Sequence, residues 1–350
     1  MRGSRSRDEE FWENVLERLH AARRKLTRVV ILLNGKGGTG KTTCTANFSA
    51  VLAQVATESG SAKRVLAMEF DPQGNLKSEF GQMGKPGDDD GKSILAAVMG
   101  TAPLAPMREV RPHLDLLPSG EQLRRVVRNL APANEHERVE LWLSFAEALA
   151  EIADEYEWIL VDCPPGDEAL QKLAMAVARW IVIPTVFDKA SRYGLEQVGH
   201  LLQDPDVDRF NEDVDVLGVL MFAFERREAR AIKDDTGEIV DQKEVGQRSR
   251  LRRALEEDLA RGGSPAPVFQ TVISNSRVVG ETCRELGMVA YELADSVQSP
   301  QWPQLRKELA GTLGGLVSIT DTTAEALAAD YEQAVQEIFG RALKEEAVNS

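Results

Sequence analysis

From Arg28 onward the chain alternates short, continuously apolar runs with longer stretches whose apolar residues recur every three or four positions. The runs read as strands at 29–33 (VVILL), 65–68 (VLAM), 113–117 (HLDLL), 158–161 (WILV), 180–183 (WIVI), 216–221 (VLGVLM) and 268–273 (VFQTVI). The helical period occupies 41–58, 138–155, 167–178, 191–203, 247–261, 278–287 and 322–345. Strands that are apolar throughout, joined by connections long enough for a helix, predict a parallel sheet covered on both faces. Clusters of Gly, Pro and acids predict loops at 81–92, 204–213, 225–246 and 261–267. None of them has the composition of a linker, so 29–345 reads as one α/β domain.

Residues 1–28 have a different texture, with eight Arg and Lys and five acids. Phe11, Val15 and Leu19 recur at helical spacing with Trp12 and Leu16 beside them, which predicts one amphipathic helix over 8–26. Such a helix either packs on the main domain or serves as an arm for a partner or DNA. It is too short to form a helix-turn-helix reader.

Composition narrows the picture. A chain of 350 residues, 43% hydrophobic and 28% charged, can bury a large core without disulfides. Forty-two Lys and Arg against 56 Asp and Glu give a net charge of −14, which excludes a uniformly basic nucleic-acid coat but not a local basic patch. Cys44, Cys163 and Cys283 show no CxxC pair and no His at ligand spacing, arguing against a zinc site or disulfide framework. There is no run of 18 apolar residues, and the charged N-terminus lacks the apolar core of a signal peptide. A soluble protein of a reducing, intracellular compartment is expected.

The strongest chemical signal is Gly35-Lys36-Gly37-Gly38-Thr39-Gly40-Lys41-Thr42-Thr43, placed between a predicted strand and a predicted helix. Gly35 to Thr42 fits G-x-x-x-x-G-K-[ST], the phosphate-binding loop. Glycines let successive N–H groups turn inward around phosphate oxygens at a helix N-terminus. Lys41 supplies a cation to the β- and γ-phosphates, and Thr42 is placed to ligate Mg²⁺. This loop makes the expected fold a P-loop domain with a mostly parallel, doubly wound sheet.

The second lysine, Lys36, followed by two glycines, resembles the deviant Walker A motif KGGxGKTT of the ParA/MinD ATPases. That resemblance implies that Lys36 reaches the partner's nucleotide in an ATP-bound homodimer, with Gly37 at the closest approach. Glu69-Phe70-Asp71-Pro72-Gln73-Gly74-Asn75 is similar to the family's D-x-D-P-Q-G-N, with Glu69 in place of the first Asp. It implies that Asp71 orients the attacking water, although Asp-Pro alone also suits a turn. The strand ending Leu160-Val161-Asp162-Cys163-Pro164-Pro165-Gly166 looks like the family's Walker B segment, so Asp162 is expected to hold Mg²⁺ through water. Weaker likeness runs through 113–120, Ile183-Pro184 and 268–277.

The D-P-Q-G-N form favours the ParA branch over MinD, and the acid-rich C-terminal tail is a poor membrane-targeting helix. Met221-Phe222-Ala223-Phe224-Glu225 stands where ParA proteins contact adenine but lacks the familiar Asn or Asp. The implied function is a slow, Mg²⁺-dependent ATPase, cytoplasmic and nucleoid-associated. Its ATP dimer would hold nonspecific double-stranded DNA, and a centromere-binding ParB-like partner would stimulate hydrolysis and release. For the DNA surface, residues 246–254 (GQRSRLRRA) carry Arg248, Arg250, Arg252 and Arg253 without an acid, and Arg277 matches a family arginine. Arg226, Arg227 and Arg230 are further candidates, and the N-terminal Arg23, Arg24, Lys25 and Arg28 come next. Positioning of a non-DNA protein cargo, or a metabolic ligase using the same loop, are the competing functions.

Overall fold

Alternate residues of the first strand serve opposite faces of a sheet. Val29, Ile31 and Leu33 belong to one hydrophobic cluster, and Val30 and Leu32 to another. In the computed structural model of the chain, residues 7–224, 229–233, 239–244, 246–304 and 321–349 are described. The first half runs α1 (Arg7–Arg23), β1 (Val29–Leu32), α2 (Lys41–Ser59), β2 (Arg64–Glu69), α3 (Asn75–Glu79), α4 (Lys92–Val98), β3 (Met107–Arg111), β4 (Leu114–Leu117), α5 (Leu123–Leu130) and α6 (Glu135–Ala153). It continues with β5 (Tyr156–Asp162), α7 (Glu168–Val177), β6 (Trp180–Thr185), α8 (Lys189–Leu202), α9 (Pro205–Phe210) and β7 (Asp215–Phe224). The remainder is β8 (Ala229–Lys233), β9 (Ile239–Glu244), α10 (Gly246–Arg261), β10 (Val268–Ser274), α11 (Arg277–Leu286), α12 (Ala290–Gln298) and α13 (Asp321–Asn349).

Eight strands form one sheet in the order β10-β7-β6-β1-β5-β2-β4-β3. Every pairing is parallel except that of β3 with β4 at the edge. This is the doubly wound α/β class expected from the apolar runs. On one face α1, α4, α6, α7 and α10 contribute to the cluster that includes Ile31, Val161 and Ile183. On the other, α2, α12 and α13 pack with Leu32, Leu160 and Val182. Helix α1 buries Trp12, Val15, Leu19 and Ala22, and Arg18 makes a two-pronged pair with Glu147 of α6 at 2.8 and 2.7 Å.

Several elements were not legible as periodic runs. α9 lies inside the stretch 204–213 read as a loop, although Asp204 caps it and Pro205 opens it. The stretch 225–246 holds the antiparallel pair β8–β9. Helices α3 and α4 and strand β3 are short with few apolar residues to set a period, whereas α5 (Leu123, Val126, Val127, Leu130) and α12 (Ala290, Leu293, Ala294, Val297) carry a helical period over barely two turns. The expected strand 113–117 begins one residue later, because His113 adopts φ +57° in the β3–β4 turn.

Candidate functional site

The carboxyl ends of β1, β2, β5 and β6 meet at the centre of the sheet, where ligands bind in open α/β folds. Residues 33–40 leave β1 and turn into α2, with Gly38 at φ +76° and Gly40, the residue capping α2, at φ +90°. That left-handed backbone is steeply unfavourable for a residue with a Cβ. A Cβ at Gly40 would also lie 2.6 Å from carbons of the Phe222 ring. Asn34, buried at the end of β1, orders the start of the loop by donating to the Pro184 carbonyl (2.9 Å) and accepting from the Lys36 amide (3.0 Å).

Lys41 is buried and its Nζ donates to the Lys36 carbonyl at 2.9 Å, so the ammonium curls back over the loop. Burial lowers its pKa, against the opposing pull of Asp162, Cys163 and Asp71. Thr42 Oγ1 donates to Asp162 Oδ2 at 2.7 Å, joining the loop to the end of β5. Asp162 is fully buried, and its Oδ1 has no hydrogen-bond partner. Desolvation raises its pKa to about 7, although the Thr42 hydroxyl and Lys41 favour the charged form. A buried carboxylate oxygen without a donor, beside a threonine hydroxyl, is chemically suited to a hard divalent cation. Mg²⁺ uses one or two protein ligands together with water and phosphate. Among the described residues no cluster of three acids, His or Cys forms a self-sufficient metal cage.

Lys36 extends from the loop to an ion pair with Asp188, between β6 and α8. Asp71 begins the turn after β2, with Oδ1 accepting the Gln73 amide at 2.9 Å. Glu69 is directed inward, where its carboxylate accepts the amides of Leu76 (2.6 Å) and Ser119 (3.4 Å). Burial pushes its pKa up to about 8 while those amides pull it down. Its contacts tie together the two ends of the segment carrying Asp71.

Sequence reasoning also missed Glu79. It is buried at the end of α3, accepts from Thr43 Oγ1 at 3.2 Å and pairs with Arg284 of α11 at 3.3 Å. Helical spacing within 75–79 hints at an inward acid, but its partners come from distant segments.

The arginines proposed for DNA separate into different environments. α10 buries Leu251, Leu255 and Leu259 and leaves Arg250 and Arg253 exposed, whereas Arg248 is half-buried. Arg252 differs from the expectation because its guanidinium donates inward to the carbonyls of Val268 (3.1 Å), Phe269 (2.9 Å) and Gln270 (3.3 Å). Arg277 begins α11, is 84% exposed and pairs with Glu281 at 2.7 Å. Arg226 and Arg227 lie outside the described residues. Among the N-terminal cations, Arg23 and Arg28 turn toward the protein, whereas Arg24 and Lys25 stay exposed. Arg23 reaches the Phe210 carbonyl, Lys25 pairs with Asp154 at 2.7 Å, and Arg28 pairs with Glu157 and Glu346.

The AAA domain family model matches residues 27–216, a span containing the loop, Asp71 and Asp162. The chromosome partitioning protein ParA of Myxococcus xanthus is 30% identical over 203 residues, covering 57% of this chain and 66% of that protein. The chromosome-partitioning ATPase Soj of Treponema pallidum is 33% identical over 179 residues, 50% of this chain and 62% of that protein. Both matches span a little under two thirds of the relative's own length. Among solved structures, an ATP complex of Cyanothece McdA superposes with a TM-score of 0.60 at 16% identity, covering 89% of this chain and 96% of that one. At that identity the likeness concerns the fold alone.

Proposed function

The chain belongs to the ParA family of P-loop ATPases, and from that premise we propose that it hydrolyses ATP to gate a reversible association with DNA. The observation that carries this reading is the junction of Lys41, Thr42 and the partnerless oxygen of Asp162 at the N-terminus of α2. Amides of the loop and the Lys41 ammonium bind the phosphates, preorganised around a developing negative charge. Thr42, and Asp162 through water, would hold Mg²⁺, which would supply charge neutralisation on the transferred phosphoryl group. Asp71 orients a water for attack on the γ-phosphorus, and the bond to the bridging oxygen of ADP breaks.

Lys36 is bound to Asp188 within its own chain. In this reading it leaves that partner when two ATP-bound copies meet, and crosses to the other copy's nucleotide. Dimerisation is thereby tied to bound ATP. DNA binds through the exposed Arg250, Arg253 and Arg277, with Arg248 at the margin, and a ParB-like partner stimulates hydrolysis and release. The protein acts at the nucleoid in the cytoplasm, and no described helix is long and apolar enough to cross a membrane.

A second reading, positioning of a protein cargo, is favoured by the inward use of Arg252, Arg23 and Arg28 and by the pairing of Lys25 with Asp154, which thins the free cationic surface. ATPase rates with and without random duplex DNA and the product of the adjacent gene separate the two. DNA-dependent stimulation supports the first reading, whereas ATP turnover that ignores DNA but responds to a protein partner supports the second.

A further inference from the structure

The first turn of α2 is tied to α11 and α12 by contacts that the chemistry above leaves unused. Thr43 follows Thr42, and its hydroxyl donates to Glu79 Oε1 at 3.2 Å. The same carboxylate oxygen takes the guanidinium of Arg284, on α11, at 3.3 Å. Glu79 is buried, whereas the Arg284 side chain is 55% exposed. A second tie starts from the Thr43 carbonyl, which accepts from Asn47 Nδ2 at 2.8 Å. Asn47 Oδ1 in turn accepts the amide of Ala290, the first residue of α12, at 2.8 Å. The carboxyl end of α11 is fixed as well. Gly81 and Gly287 meet backbone to backbone, so that a Cβ at Gly81 would lie 3.1 Å from Gly287 Cα. Arg111 donates to the carbonyls of Phe80 (3.2 Å) and Gly287 (2.7 Å). Gly287, which ends α11 at φ +61°, is thus a pinned pivot, and the opposite end of the helix carries the exposed Arg277. Helix α3, which holds Glu79, starts directly after the turn containing Asp71.

We propose that Glu79 is the joint between the nucleotide site and α11, a positioning residue through which occupancy of the phosphate loop sets how firmly α11 is held. The proposal rests on the nucleotide-binding reading above and adds the route by which occupancy reaches the Arg277 end of the helix. Thr43 has a single hydroxyl proton to donate, and in the nucleotide-free chain Glu79 receives it. A phosphate oxygen seated at the N-terminus of α2 competes for that proton. Once it is taken, the shared oxygen is left to Arg284 alone, and a buried carboxylate with fewer donors holds its remaining cation harder. Nucleotide therefore tightens α11 about Gly287. By linkage, a partner that fixes α11 strengthens nucleotide binding in return.

The experiment is hydrogen exchange of the full chain, read by mass spectrometry over 277–286, with and without Mg²⁺ and a non-hydrolysable ATP analogue. Calorimetric titration checks analogue binding, thermal melting checks each fold, and sedimentation checks that variants and wild type share one oligomeric state. In wild type the analogue should slow exchange across α11 by about fivefold or more, the lower end of ordinary coupling between sites. Arg284→Met, at an exposed side chain, should bind the analogue but lose the slowing, and Arg284→Lys should restore it. Glu79→Gln, which still accepts from Thr43 but carries no charge, should also lose it. Wild-type protein that binds the analogue without any change over 277–286 would overturn the proposal and leave the nucleotide site standing. A slowing that persists in folded Arg284→Met and Glu79→Gln would also overturn it, reducing the pair to packing for α11. Wild-type protein that does not bind the analogue would remove the nucleotide reading, and this proposal with it.

Discussion

Lys41, Lys36 and Glu69 show how much the surroundings alter a side chain's work. Lys41 is a buried cation whose ammonium is held by one carbonyl, and phosphate oxygens are much better partners for it. Lys41→Ala should weaken ATP binding by about a hundredfold or more, read by titration with a fluorescent ATP analogue. Lys36→Ala should keep ATP affinity but lose the ATP-dependent dimer in analytical ultracentrifugation, since it removes the proposed trans contact and, within the chain, only the ion pair with Asp188. Unaltered dimerisation would end that assignment. Glu69 gives a pH prediction. Its folded pKa of about 8 exceeds its unfolded value, so the folded state binds the extra proton between about pH 4.5 and 8. Stability from this group is fully present below that window and is lost as pH rises through it. The melting temperature of nucleotide-free protein should fall from pH 5 to 8, and Glu69→Gln should flatten the fall. Asp162, raised to about 7, acts in the same direction.

Among the elements, β10 is an edge strand, and an open edge is a template for unwanted pairing. Its carbonyls at 268–270 are covered by Arg252. Glu337 of α13 accepts the amides of Gln270 (2.7 Å) and Thr271 (2.8 Å), and Asp330 accepts that of Ser274 (2.9 Å). Arg252→Ala should lower unfolding stability by about 1.5–3 kcal/mol, the worth of charged hydrogen bonds, and increase aggregation measured by light scattering. Helix α1 is fastened by Trp12, which is buried with Arg209 over its ring at 3.3 Å. Trp12→Ala should cost about 3 kcal/mol in denaturant unfolding without changing ATP affinity, because the helix lies on the sheet face away from α2. The amphipathic spacing of 1–28 announces this helix. The ion pairs of its cations cannot be inferred from it, because the acids they meet lie on α6 or just after it, on β5 and α13, and in the segment after α9.

For the whole molecule, a net charge of −14 means that DNA association needs local density. Replacing Arg250 and Arg253 with Glu should abolish ATP-dependent binding to random duplex, flatten its salt dependence by about one unit of slope per lost phosphate contact, and spare ATP binding. Arg277→Glu should act likewise from α11. Fluorescence anisotropy across a salt series reads both, and unchanged affinity and slope would move the surface elsewhere. Arg252→Glu is no test of DNA contact, since it would also repel the carbonyls that Arg252 holds.

The left-handed glycine turn after β1, the parallel α/β order and the places of Asp71 and Asp162 at the ends of β2 and β5 were legible in the sequence because each is a local statement. Glycine permits left-handed turns, apolar runs become buried strands, and a strand ending in Asp presents its carboxylate at the sheet edge. Strand order decided the rest. It brings Asp162 to Thr42 across 120 residues and Asp188 to Lys36 across 152. It also sets Phe222 against Gly40, aims Glu69 at the Leu76 and Ser119 amides, and turns Arg252 onto the edge of β10. A side chain's type fixes what it can bond. Which distant backbone or charge it meets depends on how the crossovers bring strands together, and burial then sets how strongly that partner holds it.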